Sequence, residues 1–191
     1  LVAHNVAVDQ YRTPPQPQQL GGGTPLLESG SWNIRNNAIY RDSALWISHV
    51  VGSGSDNQYS ALRYIKLDPY KKIKVEEARM GLDGYFYFYP SIVVNKNQDI
   101  MLTYSRSGYT EYAGAYVSGR KKNDPPGISS SVTMKEGAGN YVVTGGGTRN
   151  RWGDYSGAGL DPSDQITMWA HTEYALNKNA YATWISSAKI G

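Results

Sequence analysis

The residues best equipped for chemistry lie in one stretch, Arg151-Trp152-Gly153-Asp154-Tyr155-Ser156-Gly157-Ala158-Gly159-Leu160-Asp161-Pro162. A guanidinium fork matches a carboxylate through two parallel hydrogen bonds, so Arg151 suits an acidic sugar as well as its neighbour Asp154. Arg35, Arg106 and Arg120 are further guanidinium groups that folding could bring to the same ligand. A retaining glycosidase needs two acidic groups, or a tyrosine with an activating glutamate, facing one pocket. Tyr155, Asp154 and Glu173 are the groups of that kind near the stretch. A plainer use of the same residues is structural. Asp154 then pairs with Arg151 or accepts backbone N–H groups of the glycine-rich loop, and Trp152 packs between sheets. No residue is therefore expected to be catalytic. The ligand-binding candidates are Arg151, Asp154, Tyr155, Arg120, Arg35 and Glu173.

Other chemistries find little support. His4, His49 and His171 lack the i, i+4 spacing of a metal pair, and no metal or cofactor is expected. His49 and His171 follow a tryptophan in similar strands, which reads as a sheet-to-sheet hydrogen bond. Asn95, Asn97 and Asp99 resemble the start of a calcium loop but lack its glycine and distal glutamate, so a plain turn is the reading. With no cysteine there is neither a disulfide framework nor a thiolate site. The net charge of +3 is spread out, with small clusters at Lys71-Lys72 and Arg120-Lys121-Lys122. Nucleic-acid binding asks for a denser basic footprint. No window reaches the roughly 18 apolar residues of a membrane-spanning helix.

The elements that must position the candidates are strands. Among 191 residues there are 21 Gly, 9 Pro and 16 Tyr, which favours many short strands and turns over long helices. Residues 1–31 read as a leftover strand followed by a Pro/Gln/Gly-rich stretch, Pro14 to Pro25. That stretch is expected to be an extended connector, a proline-rich ligand for a partner domain being the other reading. Strands are expected over Ala44–Val51, Tyr59–Leu67, Tyr89–Val94, Ile100–Ser105, Tyr112–Val117, Tyr141–Val143, Gln165–Tyr174 and Tyr181–Ser186. Turns are expected at Arg41-Asp42-Ser43, Asn95 to Asp99 and Asp161 to Asp164. The units about 32–70, 71–125 and 126–191 repeat this order. Four-stranded units of roughly 40–50 residues are the mark of propeller blades. The expected fold is all-β, a partial β-propeller of about three antiparallel blades. A closed ring needs at least about four blades, so another chain or an absent N-terminal segment would complete it. A β-sandwich is the alternative. The chain begins at Leu1 without Met, which fits a removed leader or a piece of something longer.

Several motifs carry a family resemblance. Trp46-Ile47-Ser48-His49 with Ala61 to Leu67 is one. Pro90 to Ile100, with Tyr104-Ser105 and Tyr116 to Arg120, is another. Arg151 to Ser156, Asp161-Pro162, Trp169 and Glu173-Tyr174 make a third. Together they resemble the C-terminal half of large secreted or surface microbial proteins with a sialidase-superfamily-like β-propeller, over residues 14–190. The chain lacks the Ser-x-Asp-x-Gly-x-Thr-Trp box and the Arg-Ile-Pro signature of true sialidases. Sialidases use a tyrosine and a three-arginine clamp, with the acid/base aspartate and part of the clamp in the N-terminal half. The resemblance thus implies an extracellular or cell-surface, non-catalytic domain that binds glycans or protein partners, or assembles with copies of itself. The alternatives are part of a sialidase-like glycoside hydrolase completed by missing blades, or a structural subunit of an extracellular assembly. The implied partners are glycans or another protein chain supplying further blades.

Overall fold

The structure, a computed structural model, describes residues 2–30 and 33–191. The expected boundary at 31/32 falls on residues outside these. Eleven strands run in chain order and no helix forms among the described residues. The first sheet holds β1 (Ile39–Arg41), β2 (Ala44–Ser53), β3 (Tyr59–Asp68) and β4 (Ile73–Met80). The second holds β5 (Tyr85–Val94), β6 (Ile100–Gly108), β7 (Glu111–Arg120) and β8 (Val132–Lys135). The third holds β9 (Gly157–Leu160), β10 (Met168–Asn177) and β11 (Ala180–Ala188). Every pairing within these sheets is antiparallel between chain neighbours, and no sheet closes into a barrel. The architecture is all-β and matches a partial propeller.

The turns form where short polar side chains can hold them. Asp42 and Ser43 both take positive φ, as a two-residue hairpin turn requires. Asn95 Oδ1 accepts from the amides of Asn97 and Asp99, both at 2.9 Å, closing the β5–β6 turn. Asp164 Oδ1 accepts from the amides of Ile166 and Thr167, and Asp161 Oδ1 from that of Ser163. Asparagine and aspartate favour turns because they bond their own backbone two residues on.

The sheets stack face to face in series. Trp46, Leu62 and Tyr64 of the first sheet pack on Tyr87, Ile92, Leu102 and Tyr104 of the second. Val93 and Met101 of the second pack on Met168 and Ala170 of the third. The middle sheet is therefore buried on both faces, and β5 and β6 read as almost continuous apolar or small runs. A bulge between Phe88 and Ser91 leaves Tyr89 at φ 52° and switches which side chains of β5 face each neighbour. Hence Phe86, Phe88 and Tyr89 join Trp152 and Tyr141, while Ile92 and Val94 face the first sheet.

Three expectations about the elements are corrected. The first sheet runs on to Met80, past the expected unit limit near residue 70, because β4 pairs with β3 rather than opening the next unit. Tyr141–Val143 is not a strand, so the third sheet has three strands. Its backbone bonds instead go to side chains: Tyr141 N to Gln19 Oε1, Val142 N to Asn179 Oδ1 and Val143 N to Asn150 Oδ1. Residues 2–11 form no strand either; Asp9 to Tyr11 lie across the outer face of the first sheet as a strap. The extended connector is tied in, with buried Gln19 donating to Tyr141 O at 2.7 Å and Leu20 N bonding Glu111 O.

Candidate ligand-binding site

The site grows from two backbone segments laid side by side. Leu27 bridges Asn150 in parallel, and Glu28 N donates to Asn150 O at 3.1 Å. The Asn150 side chain is buried, where it donates to Tyr141 O and Pro25 O and accepts from Val143 N. On extended backbone, side chains at i and i+2 share a face. Anchoring Asn150 inward therefore turns Arg149 and Arg151 outward, beside Glu28. Arg149 pairs with Glu28, and Arg151 Nε lies 3.4 Å from Glu28 Oε2. Arg151 also reaches Asp154 at 3.0 Å, and Arg35 approaches the other oxygen of Asp154 at 3.5 Å. Arg35 is held by two hydrogen bonds to Gly30 O, at 2.9 and 3.2 Å.

The result is three guanidinium groups on two carboxylates. Glu28 is mostly buried, whereas the side chains of Arg149 and Arg151 are 60% and 55% exposed. Among the described residues, the further N–H groups of both arginines have no hydrogen-bond partner. Tyr155 is exposed close by in sequence. Beneath lies Tyr89, its ring 5.4 Å from the Arg35 guanidinium and its buried hydroxyl without a hydrogen bond among the described residues. Burial pushes the Tyr89 hydroxyl well above the ordinary phenol range, and the charge of Glu28 adds to this.

Trp152 and Glu173 support the site from behind. Trp152 Nε1 donates to Ser105 Oγ at 3.1 Å, and its ring meets Phe88 and Tyr141 edge to face. Glu173 Oε2 accepts from Gly153 N at 2.9 Å. A side chain at residue 153 would run into that carboxylate, so the chain needs glycine there. Burial raises the Glu173 carboxyl above its ordinary value, the Gly153 amide lowers it, and Asp154 raises it further.

No protein-family model, curated protein or solved structure matches this chain. The resemblance to sialidase-like propellers therefore rests on the quoted motifs alone.

Of the sequence candidates, the structure joins Arg35, Arg151 and Asp154, with Glu173 behind them and Tyr155 exposed. It takes Arg120 elsewhere. Arg120 donates to Tyr64 Oη and pairs with Glu76, clamping the second sheet to the first. Arg106 is likewise occupied, giving Glu111 two hydrogen bonds at 2.7 and 2.8 Å between the rings of Tyr85 and Tyr116. His171 lies on the outer face of the third sheet over Gly157, where no further sheet stands to bond it. Three participants escaped the sequence reading: Arg149, Glu28 and Tyr89. The Arg149-Asn150-Arg151 alternation carried a signal for the first. Pro90 inside an apolar strand marked a bulge, and so an odd orientation for Tyr89. Nothing in the sequence pointed to Glu28.

Proposed function

We propose that this chain is a non-catalytic, extracellular β-propeller module that binds an acidic glycan at Arg149 and Arg151. The supporting observation is the cluster itself. Three guanidinium groups meet only two carboxylates, and the two most exposed arginines keep donors for a ligand. Such donors match a sugar carboxylate in paired geometry. Arg35, fixed by Gly30 O, and Asp154 hold Arg151 in place. Tyr155 offers an exposed ring on which a sugar can stack.

Binding suits the arrangement better than hydrolysis does. A tyrosine nucleophile must be reached by its substrate and deprotonate readily. Tyr89, beneath the arginines, is 3% exposed, and among the described residues no carboxylate hydrogen-bonds the Tyr155 hydroxyl to activate it. The test is an Arg149→Gln/Arg151→Gln double variant on an array of sialylated, uronate and neutral glycans. Weaker acidic-glycan binding is expected; adding Glu28→Gln, which removes the mostly buried carboxylate that the two arginines pair with, keeps the Tm near that of the parent chain. Unchanged binding, or binding lost only in step with stability, overturns the reading.

A second reading is favoured by one surface. Trp169, Tyr181 and Ile185 of the third sheet are 45%, 57% and 67% exposed. A face of that kind fits assembly with another chain.

A further inference from the structure

The strap and the first sheet line an open cleft of about 570 Å³, a size typical of small-ligand sites. It shares no residue with the arginine cluster at 149–154 and does not depend on that site. Arg12 of the strap and Arg79 of β4 both line it, together with Tyr11 and Ser53, and none of its lining residues is acidic.

Both guanidinium groups are anchored to backbone. Arg79 Nη2 donates to Gln10 O at 2.7 Å, and Arg12 Nη1 to Ser55 O at 3.2 Å. Each bond takes one donor and leaves others on the same rigid fork. Among the described residues Arg79 has one carboxylate neighbour, Glu77 at 3.8 Å, and Glu77 is committed to Arg63 at 2.7 Å. Gly52 lets the strap lie this close: its amide bonds Arg12 O at 2.8 Å, and a side chain there would strike Asn57 and Thr13 O. Tyr11 is fixed as well. The Arg63 guanidinium sits 4.8 Å from its ring centre, and the His49 ring meets it edge to face at 4.9 Å. Tyr11 still leaves 39% of its surface exposed.

Two pre-positioned cations without an acidic wall call for a negatively charged ligand. The volume is larger than a simple oxyanion needs, and the held aromatic ring offers a stacking surface. We infer that this cavity is a second anion site. It takes one saccharide unit bearing a carboxylate or sulfate group, held between Arg12 and Arg79 against Tyr11.

The test is calorimetric titration with three probes: an oligogalacturonate, a sulfated galactan oligosaccharide and a neutral galactan oligosaccharide. At least one acidic probe should bind about tenfold more tightly than the neutral one, as charge-assisted hydrogen bonds imply. Whichever acid binds better names the group. The titration is run on the Arg149→Gln/Arg151→Gln chain, in which the first site does not report; the advantage should remain there, and adding Arg12→Gln/Arg79→Gln should remove it. Equal binding of acidic and neutral probes by the Arg149→Gln/Arg151→Gln chain overturns the inference, as does an advantage that survives the added Arg12→Gln/Arg79→Gln. If the Arg12/Arg79 variant fails to fold, Arg79→Lys decides. It keeps the charge but loses the fork, so weaker acidic binding supports the site and unchanged binding overturns it.

Discussion

The two ends of the sheet stack carry similar strands and meet opposite fates. At one end, the outer face of β2 and β3 presents His49, Val51 and Arg63, which are 3%, 0% and 0% exposed. At the other, β10 and β11 present Trp169 and Ile185, at 45% and 67%. The difference is the strap. Its Asp9 carbonyl accepts from Arg63 at 2.9 Å, its Tyr11 ring lies against the same guanidinium, and Arg12 O accepts from Gly52. Asp9 to Arg12 thus cover this part of the sheet face without a ladder, because Arg63 and Gly52 find partners on them. Burying a charge is tolerable only when it is paired and hydrogen-bonded. Arg63 meets this through Glu77 at 2.7 Å, His49 at 3.2 Å and the strap carbonyl. Among the described residues, no segment covers Trp169 and Ile185 of the third sheet in this way.

The sharpest way to break this contrast is Arg63→Ala. It leaves Glu77 in the interior without its main partner and removes the anchor of the strap. The expected loss is about 3–5 kcal/mol, as for other broken buried pairs. His171→Ala, on the uncovered face, should stay within about 0.5 kcal/mol. Urea unfolding of both variants measures the difference. Equal losses would mean that the strap does not close its face.

The two ends should also respond to acid with opposite sign. Burial pushes the Glu77 carboxyl up, but hydrogen bonds from Arg63, the Asp9 amide and Lys74 outweigh it and hold the group at about 2. Its folded value lies below the ordinary 4.5, so its contribution is present above that pH and lost as pH falls toward 2. Glu173 is raised instead, chiefly by burial. Its contribution is present below the ordinary carboxyl value and lost as pH rises through the raised one. Urea midpoints followed from about pH 3 to pH 7 should therefore show a weakened acid limb in Glu77→Gln. Glu173→Gln should gain on the parent chain toward neutral pH, since glutamine keeps an acceptor for Gly153 N without the charge. A gain toward acid in Glu173→Gln would contradict the assignment.

What the sequence disclosed follows the range of the forces involved. Alternation and turn chemistry act over a few residues, so the strands around Trp46, Ile65, Leu102 and Trp169 and the turns at Asn95 and Asp161 were readable. The strap was not. Val2, Val6 and Val8 alternate as in a strand, but it is Asp9 to Arg12, just after them, that bond side chains and a loop carbonyl across more than forty residues of sequence. Tyr141–Val143 misled for the same reason, since Gln19, Asn150 and Asn179 take its amides in place of a neighbouring strand. At the candidate site, Arg151 with Asp154 was local and legible. Glu28 arrives through a parallel bridge between Leu27 and Asn150 that no local pattern announces. Arg120 was misplaced because its partners, Tyr64 and Glu76, lie in a different sheet.

The smallest expected effect probes the uncovered face directly. Ile185→Thr keeps a β-branched side chain and adds a hydroxyl where water can already reach. Its effect on stability should lie within about 0.5 kcal/mol. Val51→Thr makes a comparable change on the covered face and leaves a hydroxyl buried beneath the strap, which costs about 1–3 kcal/mol if no partner is found. The pair is read by urea unfolding at two protein concentrations, alongside sedimentation velocity. A small, concentration-independent effect of Ile185→Thr in a monomeric chain keeps the contrast between the two ends. A loss as large as that of Val51→Thr, growing with protein concentration, would show that a second copy covers the third sheet in solution. Both ends of the stack would then be closed, one by the chain's own strap and the other by its neighbour.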